Sequence, residues 1–174
     1  MRILLITFLL IGAILGYGYW HAATHASFHI QLNFKTAAEN ELRAIPKTEI
    51  RFKDSSGQVL ANGTSDEQYN FVHLLHPEVG DCHEVEKAAS SSPERRTAWQ
   101  ECFAHVATWI PQWADDVVQI DLQTEKCRIQ DIPVSISKYN SDWFLWWVPL
   151  PHVGGTPYSH YSLTVTVDEN DCGN

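Results

Sequence analysis

Three histidines between residues 73 and 83 are the densest group of side chains that could bind a metal ion. His73, His76 and His83 are followed by two carboxylates, Glu84 and Glu86. Neutral imidazole is a common ligand for zinc and copper, so a metal site here is one interpretation. The other interpretation is surface or helix-capping histidines, because residues three apart on a strand point to opposite faces and the spacing matches no defined metal site.

One pair of residues has the spacing of a catalytic motif. Ser135 and Lys138 have the S-x-x-K spacing of penicillin-recognising enzymes, but that motif needs a helix to bring both side chains to one face. The surrounding pattern predicts a strand, on which these two residues point apart. The sequence has no G-x-S-x-G, H-E-x-x-H, phosphate-binding loop or dinucleotide-binding motif. We therefore lean against enzymatic activity, with a hydrolase that uses scattered Asp, Glu and His residues as the last alternative. We expect no resident cofactor, with a bound metal ion as the alternative.

An aromatic segment and the loop after it form the strongest candidate for a binding surface. Residues 143–148 are bulky and apolar at both parities, so a strand there needs cover on both faces. Tryptophan is enriched where interfaces gain most of their energy, and loops on a rigid frame often carry binding residues. One alternative is that the tryptophans belong to the core and the Pro- and Gly-rich loop is only a stiff hairpin tip. Another is that the same residues form a platform that binds carbohydrate. The predicted binding residues are Trp143, Trp146, Trp147, His152, Gly154 and Gly155.

The N-terminal segment predicts a membrane helix or an export signal. Residues 3–20 contain no charged side chain and are just long enough to cross ~30 Å of hydrocarbon. Arg2 precedes them, which favours a cytoplasmic N-terminus. We predict a transmembrane signal anchor at residues 1–22 and an exported domain at residues 23–174. The alternative is a signal peptide cleaved after Ala26, since Thr24-His25-Ala26 has the small-x-small pattern of a cleavage site.

Four cysteines, all in the exported part, indicate an oxidising compartment. No C-x-x-C pair is present, so we expect structural disulfides without a redox role. We predict the pairs Cys82 with Cys102 and Cys127 with Cys172, because each pair joins segments that the predicted elements place side by side.

Alternation of apolar and polar residues predicts about eight strands. The segments are 28–34, 49–53, 58–61, 69–75, 118–122, 127–136, 143–148 and 158–167. Asn62-Gly63-Thr64 predicts a tight turn, as does Asp54-Ser55-Ser56-Gly57. A change of parity near Asp131 predicts a β-bulge, and Pro133 predicts an edge position.

A helical hairpin is predicted between the fourth and fifth strands, at about residues 81–113. Asp81 with Glu84 predicts a reciprocal helix cap, and Pro93 predicts the start of the second helix. The second helix has an apolar stripe, at Trp99, Cys102, Phe103, Val106 and Ile110. We expect this stripe to cover the strand at 143–148. The whole pattern predicts a mainly β chain: an antiparallel, immunoglobulin-like β-sandwich with a helical insertion and an N-terminal membrane helix.

The net charge of the chain limits the classes of partner that we expect it to bind. The formal net charge is -9, which repels phosphate backbones, so we expect no nucleic acid and favour a cationic partner. The resulting hypothesis is a membrane-tethered periplasmic module that binds another envelope protein, as an accessory subunit of a complex or as an immunity- or inhibitor-type protein. It would be a single-pass inner-membrane protein, or a secreted periplasmic one if the leader is cleaved. The alternative is an envelope protein that binds a metal ion or a small ligand.

Overall fold

A long N-terminal helix, two β-sheets and a helical hairpin make up the computed structural model. The structure describes residues 2–35, 42–43, 47–65, 71–89, 91–124, 127–139 and 159–168. The helices are α1 (Arg2–Thr24), α2 (Cys82–Ala88) and α3 (Ser92–Trp109), and two 3-10 turns follow at Ile110–Gln112 and Ala114–Asp116. The strands are β1 (Ala26–Lys35), β2 (Leu42–Arg43), β3 (Glu49–Lys53), β4 (Val59–Ser65), β5 (Val72–His76), β6 (Gly80–Asp81), β7 (Gln119–Gln123), β8 (Arg128–Pro133), β9 (Ser137–Tyr139) and β10 (Ser159–Asp168).

The strands pair in two sheets. The larger sheet has the order β6-β5-β4-β3-β7-β8, and all of its pairs are antiparallel. The smaller sheet has the order β2-β1-β10-β9, and its central pair, β1 with β10, is parallel from Ala26 opposite Ser159 to Lys35 opposite Asp168. The prediction of purely antiparallel pairing is therefore wrong at this pair. Parallel strands need a long connection between them, and here almost the whole domain lies between the first and last strands.

One hydrophobic core is shared by both sheets. On β10 the residues Tyr161, Leu163, Val165 and Val167 are buried, as their alternation predicts. Across the core, the ring of Phe28 on β1 lies 5.8 Å from the ring of Phe52 on β3. The indole of Trp113, which follows α3, contacts both phenylalanines, at 5.6 and 5.5 Å. The hairpin is thus attached to the core at its C-terminal end.

Gly63 allows two strands to approach closely and does not form the tight turn that Asn62 and Thr64 suggest. The turn predicted at Asn62-Gly63-Thr64 is wrong, because all three residues lie inside β4. A Cβ on Gly63 would lie 2.7 Å from Val72 Cγ1 and 3.0 Å from the His73 carbonyl oxygen, so the glycine permits close approach of β5. The turn predicted at residues 54–57 is confirmed: the Asp54 carboxylate accepts hydrogen bonds from two backbone N–H groups, and Gly57 has a φ of 82°.

The predicted bulge at Asp131 is confirmed at the end of the larger sheet. Asp131 has a φ of 56°, and the register shifts so that Ile132 faces Ile120 while Ile129 faces Leu122. The backbone N–H of Asp131 donates to Asp121 Oδ1 at 2.9 Å. The buried Lys53 ammonium lies 2.6 Å from Asp121 and 2.5 Å from Asp131, so one cation ties β3 to both strands of the bulged pair.

These contacts set the pKa of Asp121. Burial opposes ionisation of its carboxyl group. The hydrogen bonds from Lys53 and from the Asp131 N–H, together with the positive charge of Lys53, outweigh burial and hold the pKa of Asp121 below its usual value.

Candidate functional site

The α2–α3 hairpin is closed by the predicted disulfide between Cys82 and Cys102, whose Cα atoms lie 5.5 Å apart. The Asp81 carboxylate caps α2 by accepting from the His83 N–H at 2.8 Å. The predicted return bond from Glu84 is replaced by an ion pair with Lys87 at 2.9 Å. A reciprocal cap does form at the next helix start, where the side chains of Ser91 and Glu94 each accept from the other's backbone N–H.

The hairpin buries few of its own side chains. α2 and α3 are described along their whole length; none of the α2 residues is buried, and α3 buries Cys102, Val106 and Ala107. All three lie in the second half of α3, and residues 92–101 are exposed except for the half-buried Ala98. The first half of α3 therefore extends beyond the core, and the disulfide ties α3 to α2 just after this half, at Cys102.

An exposed indole lies on this extended half. Trp99 is 41% exposed, and its ring stacks on that of Phe103 at 4.9 Å with an interplanar angle of 9°. Arg95 and Arg96 lie one helical turn earlier, so they share a face with Trp99. Arg95 Nε donates to the Ala89 carbonyl at 3.1 Å, which fixes its guanidinium at the hairpin bend.

A shallow groove of about 480 Å³ runs over this face, and we call its lining the hairpin surface: Glu86, Ser92, Arg95, Arg96 and Trp99. Tryptophan and arginine are the residue types that most often dominate binding energy at protein interfaces. The stripe that predicted the hairpin did identify Trp99, but as a residue that packs against the protein. The exposed arginines one turn earlier were the missed signal.

A second space lies between the hairpin and strands β1 and β5. This hairpin cavity measures about 240 Å³. Apolar and aromatic side chains form most of its lining, namely Phe28, Val72, Leu74, Trp99, Phe103, Val106 and Ile110. The remaining lining residues are Ser27, His73, Asp81, Cys82 and His83.

The three histidines predicted as metal ligands do not converge. His73 and His83 stack at 5.1 Å with an interplanar angle of 6°, and both line the hairpin cavity. His76 instead contacts Trp109 at 5.1 Å, and its Nδ1 accepts from the backbone N–H groups of Glu78 and Val79. Within the described ranges, no group of three or more His, Cys, Asp or Glu residues could hold a metal ion.

A serine and a histidine that are far apart in sequence meet beside the cavity. The Ser27 hydroxyl and His160 Nδ1 are 2.6 Å apart, at directly paired positions of β1 and β10. Sequence reasoning missed this pair because it depends on the parallel pairing of the first and last strands.

The junction of α1 with the sheet is short and well bonded. A single residue, His25, separates the helix from β1. Ser159 at the start of β10 donates its hydroxyl to the Ala22 carbonyl at 2.6 Å and its N–H to the His25 carbonyl at 3.1 Å. The rings of His21 and His25 stack at 3.8 Å. Burial, and then the charge of His21, lower the pKa of His25 against the opposing effect of its hydrogen bond to the His21 carbonyl.

By length and composition, the segment Leu5–Thr24 could span a membrane. Its large apolar side chains are exposed, for example 71% for Phe8 and 66% for Leu9. A helix of this kind is suited to a membrane anchor or a signal sequence, and the disulfide of the hairpin fits an oxidising compartment.

The predicted aromatic binding surface lies outside the described residues. This holds for Trp143, Trp146, Trp147, His152, Gly154 and Gly155, so the expectation that they bind a partner stays a prediction. Cys127 is disulfide-bonded, but its predicted partner Cys172 lies outside the described residues as well.

Comparisons with known proteins give no further assignment. No protein-family model, no curated protein and no solved structure matches the chain.

Proposed function

We propose that this protein is a membrane-tethered periplasmic module that binds another protein of the cell envelope through its hairpin surface. The observation that carries the proposal is Trp99, an exposed indole beside two arginines on a helix that a disulfide ties in place. Fixing the helix in advance reduces the conformational entropy that binding would otherwise cost. Exposed aromatic and arginine side chains on such a support are well suited to an interface.

The tether is proposed to be α1, held as a single pass in the inner membrane. Cleavage after Ala26 would remove a fully buried residue of β1 and both carbonyls that bond to Ser159. The junction between α1 and the sheet is therefore intact only in the chain that retains the anchor. On this proposal residues 1–22 form the anchor, and residues 23–174 form the exported domain.

The exported domain is proposed to be a β-sandwich. Its support is the core shared by the two sheets, with Phe28 and Phe52 in contact across it. The immunoglobulin-like type is proposed from the antiparallel pairing of the six-stranded sheet. The parallel β1–β10 pair is a departure from the antiparallel form.

Of the two kinds of binding module, an accessory subunit of a membrane complex fits the geometry better than an inhibitor of a secreted enzyme. A single residue, His25, joins the helix to the sheet, so the domain stays close to the membrane surface. Capture of a soluble enzyme would be served better by a flexible linker.

The hairpin surface also refines the charge expected of the partner. The net charge of -9 predicts a cationic partner for the chain as a whole. At the contact itself, Arg95 and Arg96 favour an acidic patch beside an apolar pocket that accepts Trp99.

The test is co-purification of the tagged, full-length chain from native membranes after gentle detergent extraction. Trp99→Ala is expected to reduce recovery of the partner at least 10-fold, as for a residue at the centre of an interface. The double variant Arg95→Glu/Arg96→Glu is expected to reduce it similarly, with a smaller effect at high salt. Gln100→Ala, an exposed change on the next face of α3, is the matched control.

Two results contradict the proposal. One is recovery of the same partner in wild-type amounts with both the Trp99→Ala and the double arginine variant. The other is a partner that comes from the soluble periplasmic fraction and binds equally well to a chain without α1, which favours the inhibitor-type alternative.

A further inference from the structure

We propose that the hairpin cavity binds a small planar aromatic molecule with one neutral hydrogen-bonding substituent. The proposal goes beyond protein binding by the hairpin surface and rests on a different set of side chains, except for Trp99, which lines both. Five parts of the chain contribute to the lining: β1, β5, the end of β6, the start of α2, and α3 with the turn after it.

The size of the cavity limits the ligand to about one ring with a substituent. The cavity measures about 240 Å³. An apolar cavity of roughly 150 Å³ in a protein core holds benzene, so the additional volume accommodates a methyl and a hydroxyl group or a second small ring. A longer acyl chain would extend beyond this volume.

The lining favours a flat ring. Phe28, Leu74, Val106 and Ile110 provide apolar contacts from several sides. Two pairs of parallel rings also line the cavity, His73 on His83 and Trp99 on Phe103, with interplanar angles of 6° and 9°. An aromatic ligand can extend either stack in the offset-parallel geometry that ring pairs prefer, whereas a saturated ring cannot.

The imidazole of His83 supplies the polar contact. A neutral imidazole offers one donor and one acceptor, which suits a hydroxyl or an N–H group of the ligand. Two of the other polar groups of the lining have partners: the Ser27 hydroxyl pairs with His160, and the Asp81 carboxylate caps α2. Glu86 lies 4.0 Å from His83 Nδ1, and its negative charge disfavours an anionic ligand.

Three probes separate the parts of this proposal when they are titrated into the full-length protein in lipid nanodiscs, with empty nanodiscs as the blank. p-Cresol has the ring and the hydroxyl, toluene has the ring alone, and 4-methylcyclohexanol has the hydroxyl without a planar ring. Saturable binding of p-cresol is expected in saturation-transfer NMR and calorimetry. Toluene is expected to bind about 3- to 10-fold more weakly, the range for one lost hydrogen bond, and 4-methylcyclohexanol more weakly than p-cresol.

Two variants locate the binding. Val106→Phe fills the cavity from a buried position and is expected to abolish binding of p-cresol. His83→Ala is expected to bring the affinities of p-cresol and toluene together. His105→Ala is the matched control, because this exposed histidine of α3 does not line the cavity.

The proposal is overturned if p-cresol fails to saturate, if 4-methylcyclohexanol binds as tightly, or if a folded Val106→Phe protein still binds p-cresol. Should that variant not fold, the comparison of His83→Ala with His105→Ala decides: an equal preference for p-cresol over toluene in both rejects the site. Arg95, Arg96 and Trp99 are unchanged throughout, so these variants keep the side chains of the hairpin surface and docking can be measured separately on them.

Discussion

Removal of the hairpin disulfide is expected to destabilise the protein by about 3 kcal/mol. The bond between Cys82 and Cys102 closes a loop with a sequence separation of 20, and the chain-entropy relation gives this free energy for a loop of that length. For a chain of this size the loss corresponds to a fall in Tm of about 6–12 °C. The double variant Cys82→Ala/Cys102→Ala is used because alanine keeps both positions apolar. Serine would instead bury a hydroxyl group at the position of Cys102.

The effect should be largest in α2. None of its residues is buried, whereas α3 is also held by Val106 and Ala107. Without the bond, backbone amides of α2 are therefore expected to exchange with solvent much faster than those of β3 and β7, which lie inside the larger sheet.

Urea denaturation and hydrogen exchange measured on the same samples test this account. Ala104→Gly is the control, because it costs an exposed position of α3 about 1 kcal/mol of helix propensity and leaves the bond intact. A loss below 1 kcal/mol in the double variant, with native exchange in α2, would refute the reasoning. It would mean that side-chain contacts alone hold the hairpin.

Three further outcomes are expected. Phe52→Ala should cost about 3–5 kcal/mol in urea denaturation, because Phe52 is fully buried, while Arg51→Ala on the exposed face of the same strand should stay within about 0.5 kcal/mol. The pKa of Asp121 is lowered in the folded state. Its contribution to the free energy of unfolding is therefore present above its ordinary pKa of 3.8 and is lost as the pH falls through its pKa in the folded protein. Asp121→Asn should accordingly lower stability at pH 7 and reduce the further loss below about pH 4, measured by urea midpoints at each pH. The intact mass of the mature protein should correspond to a chain that includes residues 1–26. A mass that corresponds to a chain starting at His25 or later would contradict the anchor.

Local patterns in the sequence predicted much of the fold because their causes are local. Alternation identified β1, β3, β7 and β10, since one face of each strand packs into the core. The bulge at Asp131 was visible as a change of parity, and the start of α3 was visible at Pro93. In each case a few adjacent residues determine the backbone.

The errors arose where distant contacts decide the outcome. Asn62-Gly63 is a common turn sequence, but β5 packs so closely that Gly63 is needed inside a strand. The parallel pairing of β1 with β10 could not be predicted, because no local pattern distinguishes parallel from antiparallel neighbours. The pairing of Ser27 with His160 and the hairpin cavity both depend on such long-range contacts.

Trp99 lies on the helical stripe that the sequence predicts, at a position where its side chain is 41% exposed. The stripe predicts which face of α3 is apolar, but it does not predict where along its length the helix leaves the core. In the structure the helix leaves the core near Cys102, which is the first buried residue of α3. The disulfide at Cys102 joins α3 to α2 at this position. Trp99 lies just before it, on a segment supported by α2 and beside Arg95 and Arg96. The exposed indole therefore lies on the part of α3 that precedes its first buried residue, Cys102.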